Sequence, residues 1–324
     1  IGVDETYWPI AISNGVKILL ERQVCRISVN KNGNVDGVIY VDKSGLERKY
    51  NSSIVIVACS GIGTPRLLLN SKSKYYPNGL LNENGFVGKN LMLHPLAYVE
   101  GYFEDNLATS YGPHGCCLFS QEFYETRLEN DFFRGYTMQI LRGSSAMEVA
   151  NTGYFSRQIS LGGKHHEDFL KCFNHTAGIA IISEDLPELK NRIELDDEVK
   201  DVFGMPGVKV FYKIGDNTKK ILNHGVNMAK EIFMSIGANV SLTSNPTRNT
   251  GWHIMGTARM GQSIDKSVIN KFGQAHKLKN LFIIDSSNFV TSGASNPVAT
   301  SQAITLFTET WQRSAGCRAD MTNS

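Results

Sequence analysis

The sequence lacks several features that would assign it to a special class of protein. Its six cysteines form no C-x-x-C pair, and six in 324 residues is far below a disulfide scaffold. No apolar run approaches the ~20 residues that a helix needs to cross a bilayer. Lys+Arg total 33 against Asp+Glu 31, with no long block of one sign. Nucleic acid and anionic membrane surfaces are therefore poorly matched partners.

Two further absences concern ligand sites. The dinucleotide fingerprint G-x-G-x-x-G does not occur, because Gly61-Ile62-Gly63 lacks the third glycine. His114, His165 and His166 do not have the spacing of metal ligands, so we predict no metal site. The remaining composition, 41% hydrophobic and 20% charged, is that of an ordinary globular protein long enough for two domains.

The first hundred residues predict short strands joined by turns. Residues 16–19, 24–29 and 35–41 are rich in β-branched side chains, and 53–58 form an apolar run typical of a strand buried on both faces. That run leads through a glycine turn into a predicted helix, with Thr64 as its cap and Pro65 in its first turn. A strand, a glycine turn and a helix N-terminus make up half of a nucleotide-binding α/β unit.

The rest of the chain divides into two stretches with different predicted secondary structure. The middle predicts strands at 179–183, 192–195 and 208–212, with an amphipathic helix from about residue 217 that stops at Gly237. The last eighty residues return to α/β style, with a buried strand over 280–285 and a helix from Asn296-Pro297 to about residue 311. We therefore predict that 1–94 and 247–324 share one domain, and that 95–246 form a second.

Two segments in the last quarter concentrate glycine, small hydroxyl residues and single polar groups. The first, residues 251–261, reads GWHIMGTARMG, and the second, residues 285–297, reads DSSNFVTSGASNP. Loops of this composition often bring their backbone close to a ligand. These two loops are the candidate functional site.

Several motifs resemble those of one enzyme family. Residues 253–261 are similar to the H-x-x-G-T-x-R-M-G element of the glucose-methanol-choline (GMC) oxidoreductases, and 285–297 to its strand-end Asp, small-residue loop and Asn-Pro. Residues 59–69 and 87–95 resemble two further elements, in family order. The segments 184–187, 191–193 and 201–206 look like the subgroup that includes gluconate and other sugar dehydrogenases.

This resemblance implies an FAD-dependent enzyme that oxidises the CH–OH group of a sugar, sugar acid or polyol. It assigns His253 as the base that removes the hydroxyl proton, while the hydride passes to flavin N5. Asn296 would hydrogen-bond the substrate oxygen as negative charge develops. The alternative is that His253 is a buried histidine that satisfies a loop. The implied fold is an α/β FAD-binding domain with a second, α+β antiparallel-sheet substrate domain.

The resemblance also implies flavin contacts. The helix that begins at Asn296-Pro297 would direct its positive end at the reduced flavin ring. Asp285 would accept hydrogen bonds from the ribityl chain, or alternatively would only cap its own turn. The Ser286 amide would reach the pyrophosphate, the main chain of Val24 the adenine, and the Ser60-Gly61 turn the adenosine half. His94, which precedes Pro95, is interpreted as structural.

One family feature is missing. Relatives carry the dinucleotide fingerprint near the N-terminus, whereas this chain lacks it and opens on Ile1 instead of Met. We therefore expect that the N-terminal FAD-binding portion is absent and that residues 1–324 alone bind FAD weakly. A flavin-free binding or structural relative is the competing hypothesis. The exact substrate is left open, as is the choice among oxygen, a quinone and a cytochrome as electron acceptor.

Overall fold

The computed structural model describes residues 2–112, 115–143, 145–155 and 159–314, so His114 and Cys317 lie outside the described residues. The helices are α1 Val3–Ser13, α2 Ser60–Asn70, α3 Ala146–Phe155, α4 His165–Cys172, α5 Asp216–Ser235 and α6 Val298–Ser314, with a short 3-10 helix at Ser286–Asn288. The strands are β1 Gln23–Val29, β2 Val35–Val41, β3 Glu47–Asn51, β4 Val55–Val57, β5 Leu96–Tyr102, β6 Gly115–Ser120, β7 Tyr136–Arg142, β8 Thr176–Ser183, β9 Arg192–Lys200, β10 Pro206–Phe211, β11 Asn239–Ser244 and β12 Leu281–Ile283. None of the described helices is long and apolar enough to span a membrane.

Two strands from opposite ends of the chain form a parallel pair. β4 pairs with β12 in the register Val55 to Leu281 and Val57 to Ile283. Both strands are short and largely buried, so their apolar side chains are removed from water on joining. The expectation that the runs at 53–58 and 280–285 lie together is confirmed. The domain boundaries at 94 and 246 stay a prediction.

A second sheet forms the core of the middle region. Its five strands are ordered β11-β5-β8-β7-β6, and all neighbouring pairs are antiparallel. The amphipathic helix α5 packs against it, with its apolar stripe on β5 and β8. The helix ends at Ser235, and Gly237 follows with φ +79°. The predicted antiparallel sheet and helix of the middle region are therefore present.

The remaining strands form two smaller sheets near the start and middle of the chain. β1, β2 and β3 make an antiparallel three-stranded sheet, and β9 pairs with β10 in a hairpin. Arg66, in α2, fastens this hairpin by donating to the Pro206 carbonyl at 2.7 Å and to the Asp201 carboxylate at 2.8 Å. The hairpin is thereby joined to the helix that follows β4.

Two local predictions are wrong. Residues 16–19, predicted to be a strand, form none. α2 begins at Ser60, so Thr64 and Pro65 lie inside the helix instead of starting it. The Thr64 hydroxyl donates across the chain to Asp285 and accepts from the Cys59 amide at 3.2 Å. The Thr64 side chain, which was expected to cap the helix, instead makes a tertiary hydrogen bond to Asp285.

A buried carboxylate joins the two regions of the fold. Asp185 follows β8 and is 1% exposed. Its side chain accepts hydrogen bonds from the Leu93 amide at 3.1 Å, the Tyr212 hydroxyl at 2.7 Å and the Thr218 hydroxyl at 3.1 Å. Its backbone N–H donates to the Ser292 hydroxyl at 2.9 Å. Four separate segments are thus held at one residue.

Substituting Asp185 tests this junction. Asp185→Ala leaves three donors without an acceptor, and we expect a loss of about 2–4 kcal/mol in the free energy of unfolding. The control is Asp131→Ala, whose carboxylate is 75% exposed and pairs with Lys220. That change should cost less than about 1 kcal/mol. Urea denaturation measures both, and equal effects would contradict the role of the network.

Asp185 should also make the stability of the protein depend on pH. Burial raises the pKa of Asp185 to about 6, against the opposing effect of its three donors. Because the folded-state pKa is above the unfolded value, this group favours folding at low pH, and the contribution is lost as pH rises through about 6. The stability of the wild type relative to Asp185→Asn should therefore increase as pH falls from 7 towards 4. A difference independent of pH would refute this assignment.

Candidate active site

The first glycine-rich segment is held between two others by backbone hydrogen bonds. Met92 and Met255 exchange a pair of such bonds, each 3.0 Å long. Alternate amides of the segment then donate to successive carbonyls of the 3-10 helix: Gly256 to Ser286 at 3.1 Å, Ala258 to Ser287 at 2.8 Å and Met260 to Asn288 at 2.9 Å. The two predicted loops therefore lie side by side. Their irregular backbone is satisfied without a regular sheet.

Close approach explains why two positions in this region are glycine. A Cβ at Gly256 would lie 2.4 Å from the Asn90 carbonyl oxygen, and the residue has φ +86°. A Cβ at Gly61 would lie 2.5 Å from the Ile254 carbonyl oxygen. The Thr257 hydroxyl donates to the Gly61 carbonyl at 2.7 Å. The start of α2 is thus packed directly on the segment that carries His253.

His253 contacts a second histidine. Its Nδ1 lies 2.7 Å from Nδ1 of His94, and the two rings meet edge to face with centroids 4.9 Å apart. The other ring nitrogen of His94 lies 2.8 Å from the Gly293 carbonyl oxygen and 3.3 Å from that of Ser292. His94 is 3% exposed, whereas His253 is half-buried. His94 therefore joins the His253 loop to the loop that leads to Asn296.

Burial keeps both imidazoles neutral near pH 7. The pKa of His94 is lowered to about 4 by burial and then by the charge of a protonated His253. Burial also lowers the pKa of His253 from its ordinary value of 6.5. Among the described residues, no carboxylate forms an ion pair with either ring. A neutral imidazole is the form that can accept a proton.

Asn296 is exposed and lies directly before Pro297 and helix α6. Gln139, on β7 of the five-stranded sheet, donates from Nε2 to Asn296 Oδ1 at 3.1 Å. The amide nitrogen of Asn296 is thus left to donate elsewhere. Within the described ranges no hydrogen bond joins His253 to Asn296, and their convergence on one substrate atom stays a prediction. Their connection runs through His94 and Gly293.

The residues expected to contact a cofactor are partly brought together. Asp285 accepts from the Ser287 amide at 2.8 Å and from Thr64, so it does cap the 3-10 helix. A carboxylate has about four lone-pair sites, so two acceptor positions remain. Ser286 adjoins it, and the Thr64 bond ties this strand end to α2, whose first residues are Ser60 and Gly61.

Val24 lies apart from this group. Its neighbour Cys25 accepts a hydrogen bond at 2.9 Å from Asn70, at the opposite end of α2 from Ser60. A helix of this length spans about 15 Å. Among the described residues, no hydrogen bond links Val24 to Asp285 or Ser286. An extended ligand would be needed to contact both ends.

Comparison with known proteins decides the family. Two profiles described as GMC oxidoreductase match residues 1–96 and 187–305, together more than half of the chain. The chain belongs to the GMC oxidoreductase family. In this GMC chain, both glycine-rich segments of the candidate site lie within residues 187–305, the range that the second profile matches.

Two relatives and one solved structure illustrate the likeness. The chain is 37% identical over 309 residues to 2-methyl-1,2-propanediol dehydrogenase of Mycolicibacterium austroafricanum, covering 93% of this chain and 55% of that protein. It is 24% identical over 294 residues to the fructose dehydrogenase large subunit of Gluconobacter japonicus, covering 90% and 53%. A formate oxidase variant from Aspergillus oryzae RIB40, solved to examine FAD modification, superposes with a TM-score of 0.63 at 14% identity, covering 92% and 61%. The chain spans about half the length of the curated relatives it matches.

Family membership and these neighbours indicate FAD as the cofactor. The donor set of the described site fits such a group. α2 begins without a side-chain cap, so amides of its first turn are available to negatively charged or carbonyl oxygens. Asp285 keeps acceptor positions for hydroxyl groups. In the described part of the chain, no group of three or more metal-ligating side chains is found.

Sequence reasoning missed three residues of the site. His94 was interpreted as structural, and neither Gln139 nor Asp185 was singled out for a role. His94 could have been found from its place in the family-like segment 87–95, and Asp185 from its place in 184–187. Gln139 lies in an unremarkable strand, and no local signal marks it. Each acts on a residue far away in the chain, which a local pattern does not reveal.

The close packing at Gly256 gives a test. Gly256→Ala adds a Cβ that must clash with the Asn90 carbonyl, in addition to the strain of a positive φ. Gly237→Ala is the matched control, since Gly237 has φ +79° but no atom within 4 Å of its Cβ position. We expect Gly256→Ala to lower the free energy of unfolding by about 2 kcal/mol more than the control does. Equal losses in urea denaturation would show that the loops are not tightly packed.

Proposed function

We propose that this chain carries the catalytic base of an FAD-dependent oxidoreductase that acts on the CH–OH group of a sugar, sugar acid or polyol. His253 removes the hydroxyl proton, and Asn296 donates a hydrogen bond to the oxygen as it becomes negative. The observation that carries the proposal is the state of His253. It is a half-buried, neutral imidazole in the family motif, tied through His94 and Gly293 to the loop before Asn296.

The properties of His253 suit a general base. Efficient bases have a pKa near the working pH, and burial holds the pKa of His253 below 6.5. In the described part of the chain, no carboxylate forms an ion pair with this ring that would raise its pKa. Among the described residues, only one of its ring nitrogens takes part in a hydrogen bond, with His94. The other is available to a substrate hydroxyl.

Asn296 supports the same step. Since Gln139 donates to its Oδ1, the Nδ2 group is presented as a donor. A donor next to a base is the arrangement required when an alcohol loses its proton, because the resulting oxygen is negatively charged. The first turn of α6, which follows Pro297, adds backbone N–H groups at its positive end.

The cofactor supplies the complementary half of the reaction. FAD, when bound, provides the acceptor for the carbinol hydride. Val24, Ser60, Gly61, Asp285 and Ser286 would hold it, through main-chain groups and the Asp285 carboxylate. Asn296 and Pro297 would lie at the flavin edge. The names of two relatives, a propanediol dehydrogenase and a fructose dehydrogenase subunit, support a polyol or sugar as substrate.

Replacement of His253 tests the base. In FAD-loaded protein, His253→Ala should slow flavin reduction about 10²–10⁴-fold with the flavin still bound, because the proton acceptor is lost and the cofactor contacts are not. Trial substrates are 2-methyl-1,2-propanediol and fructose, and the readout is the loss of oxidised-flavin absorbance. His166→Ala is the control, since His166 is exposed on α4. A His253→Ala protein that reduces at the wild-type rate would exclude this mechanism.

The pH dependence provides a second readout for the same base. His253 acts when neutral, and its pKa is lowered, so kcat/KM should fall only as pH drops through a value below 6.5. This acid limb should be missing in His253→Ala. A limb centred above 6.5 would contradict the assigned environment.

Asn296 should have a smaller effect than the base. Asn296→Ala removes one donor to the developing negative charge, and we expect flavin reduction to slow about 10- to 100-fold. The flavin reduction potential should also shift, because the residue adjoins the N-terminus of α6. Stopped-flow reduction and a potentiometric titration measure the two effects. If neither changes, Asn296 has no place in the reaction.

A further inference from the structure

We propose that His94 is a positioning residue that holds the proton on His253 Nδ1 and so leaves His253 Nε2 as the lone pair facing the substrate. The proposal rests on the proposed function of His253 as the base. It assigns a role to a side chain that the sequence suggested was only structural. It also specifies which atom of His253 reacts.

The protonation of His94 follows from its partners. Its Nε2 lies 2.8 Å from the Gly293 carbonyl oxygen and 3.3 Å from the Ser292 carbonyl oxygen. Carbonyl oxygens only accept hydrogen bonds, so Nε2 of His94 must carry a proton. A neutral imidazole has one N–H, which leaves Nδ1 of His94 as an acceptor. Burial keeps the ring in this neutral form, since its pKa is lowered to about 4.

The protonation of His253 follows in turn. The two Nδ1 atoms are 2.7 Å apart, so one of them must donate. Because Nδ1 of His94 is the acceptor, Nδ1 of His253 carries the proton, and its Nε2 is unprotonated in the neutral ring. Among the described residues, no hydrogen bond engages that Nε2. The Gly293 carbonyl, acting through His94, thereby sets the tautomer of His253.

The hydrogen bond between His253 and His94 also stabilises His253 after it has accepted a proton. When His253 accepts the substrate proton on Nε2, its Nδ1–H still donates to His94, and this bond becomes charge-assisted. The proton does not pass on to His94, because a charged imidazole there would be fully buried. A carboxylate in the place of His94 would instead raise the pKa of His253 and keep it protonated near neutral pH. The neutral imidazole of His94 fixes the tautomer of His253 without raising the pKa of His253.

The charged groups nearby are otherwise engaged. Asp185 accepts from the Leu93 amide, next to His94, but its carboxylate is taken up by Tyr212 and Thr218. Burial raises the pKa of Glu184, whose carboxylate lies 3.6 Å from the Arg134 guanidinium. Asp185 thus holds the backbone next to His94. Among the described residues, the charge that lowers the pKa of His94 is that of a protonated His253.

The decisive measurement is the tautomer. In FAD-loaded protein with ¹⁵N-labelled histidine, the imidazole nitrogen shifts at pH 7.5 should show His253 protonated at Nδ1 and unprotonated at Nε2; the His253→Ala spectrum assigns the signals. A wild-type spectrum with Nε2 protonated overturns the proposal, without any reliance on a His94 variant. It would leave the role of His253 as base intact. A fully active His253→Ala protein would instead remove the proposed function.

Two substitutions test the role in the reaction. His94→Phe removes the acceptor, and we expect flavin reduction about 10- to 100-fold slower with less than a threefold change in substrate affinity, since a misplaced tautomer acts on the proton step. His94→Asn places an amide oxygen near the Nδ1 position, so it should restore most of the rate and the Nδ1–H tautomer. His276→Phe, a partly buried histidine that contacts Ser267, is the control for loss of a ring nitrogen elsewhere.

The rate pattern separates positioning from packing. Equal rates in His94→Phe and the wild type, or equal losses in His94→Phe and His94→Asn, would overturn the proposal. His94→Asp adds a pH readout: a carboxylate acceptor should move the acid limb of kcat/KM upward by one pH unit or more, about 1.4 kcal/mol in proton affinity per unit. An unmoved limb in a folded, FAD-loaded His94→Asp protein would show that residue 94 does not act on His253.

Discussion

The geometry of the site depends on the hydrogen bonds made by one buried carboxylate, that of Asp185. A carboxylate that is 1% exposed is tolerated only when donors surround it, and here they come from the backbone at Leu93, from Tyr212 and from Thr218. Its own backbone binds Ser292. Since Leu93 precedes His94, and Ser292 lies on the loop before Asn296, one network positions both sides of the candidate site. A polar junction with every donor matched is more demanding of geometry than apolar packing.

The site itself is made of irregular backbone held rigidly. The 256–260 segment donates at alternate positions to the 3-10 helix, and Gly256 permits the approach to Asn90. Loops that are hydrogen-bonded along their length can position side chains as firmly as a strand does. This explains how two glycine-rich segments of low regularity can present functional groups at defined places. The parallel pair β4–β12 and helix α2 provide the support beneath them.

The electrostatics of the site favour neutral groups. His94 contacts His253 and two backbone carbonyls, and within the described residues neither ring forms an ion pair. Burial then lowers the pKa of both rings. Gln139 and Asn296 add a second neutral pair, joined by an amide–amide hydrogen bond. These two imidazoles and two amides start without charge, so the charge of a transferred proton is the largest electrostatic change among them.

The sequence by itself determined the kinds of chemical group and much of the local structure. Helix α5 and strands β1, β2, β4 and β12 were predictable because periodicity and turn residues are local properties. The GMC family, its FAD cofactor and the two glycine-rich segments were also identified from motifs. One wrong prediction arose where a distant partner intervened: Thr64 resembled a helix cap, but it lies inside α2 and donates to Asp285.

Only the tertiary structure decided which atom of each group is available. That choice depends on hydrogen-bond partners from remote segments: the Gly293 carbonyl for His94, His94 for His253, and Gln139 for Asn296. A residue's identity limits how many donors and acceptors it has, but not which of them are already occupied. Occupation is set by chain segments that meet only on folding, so the sequence could name His253 and Asn296 but could not orient them.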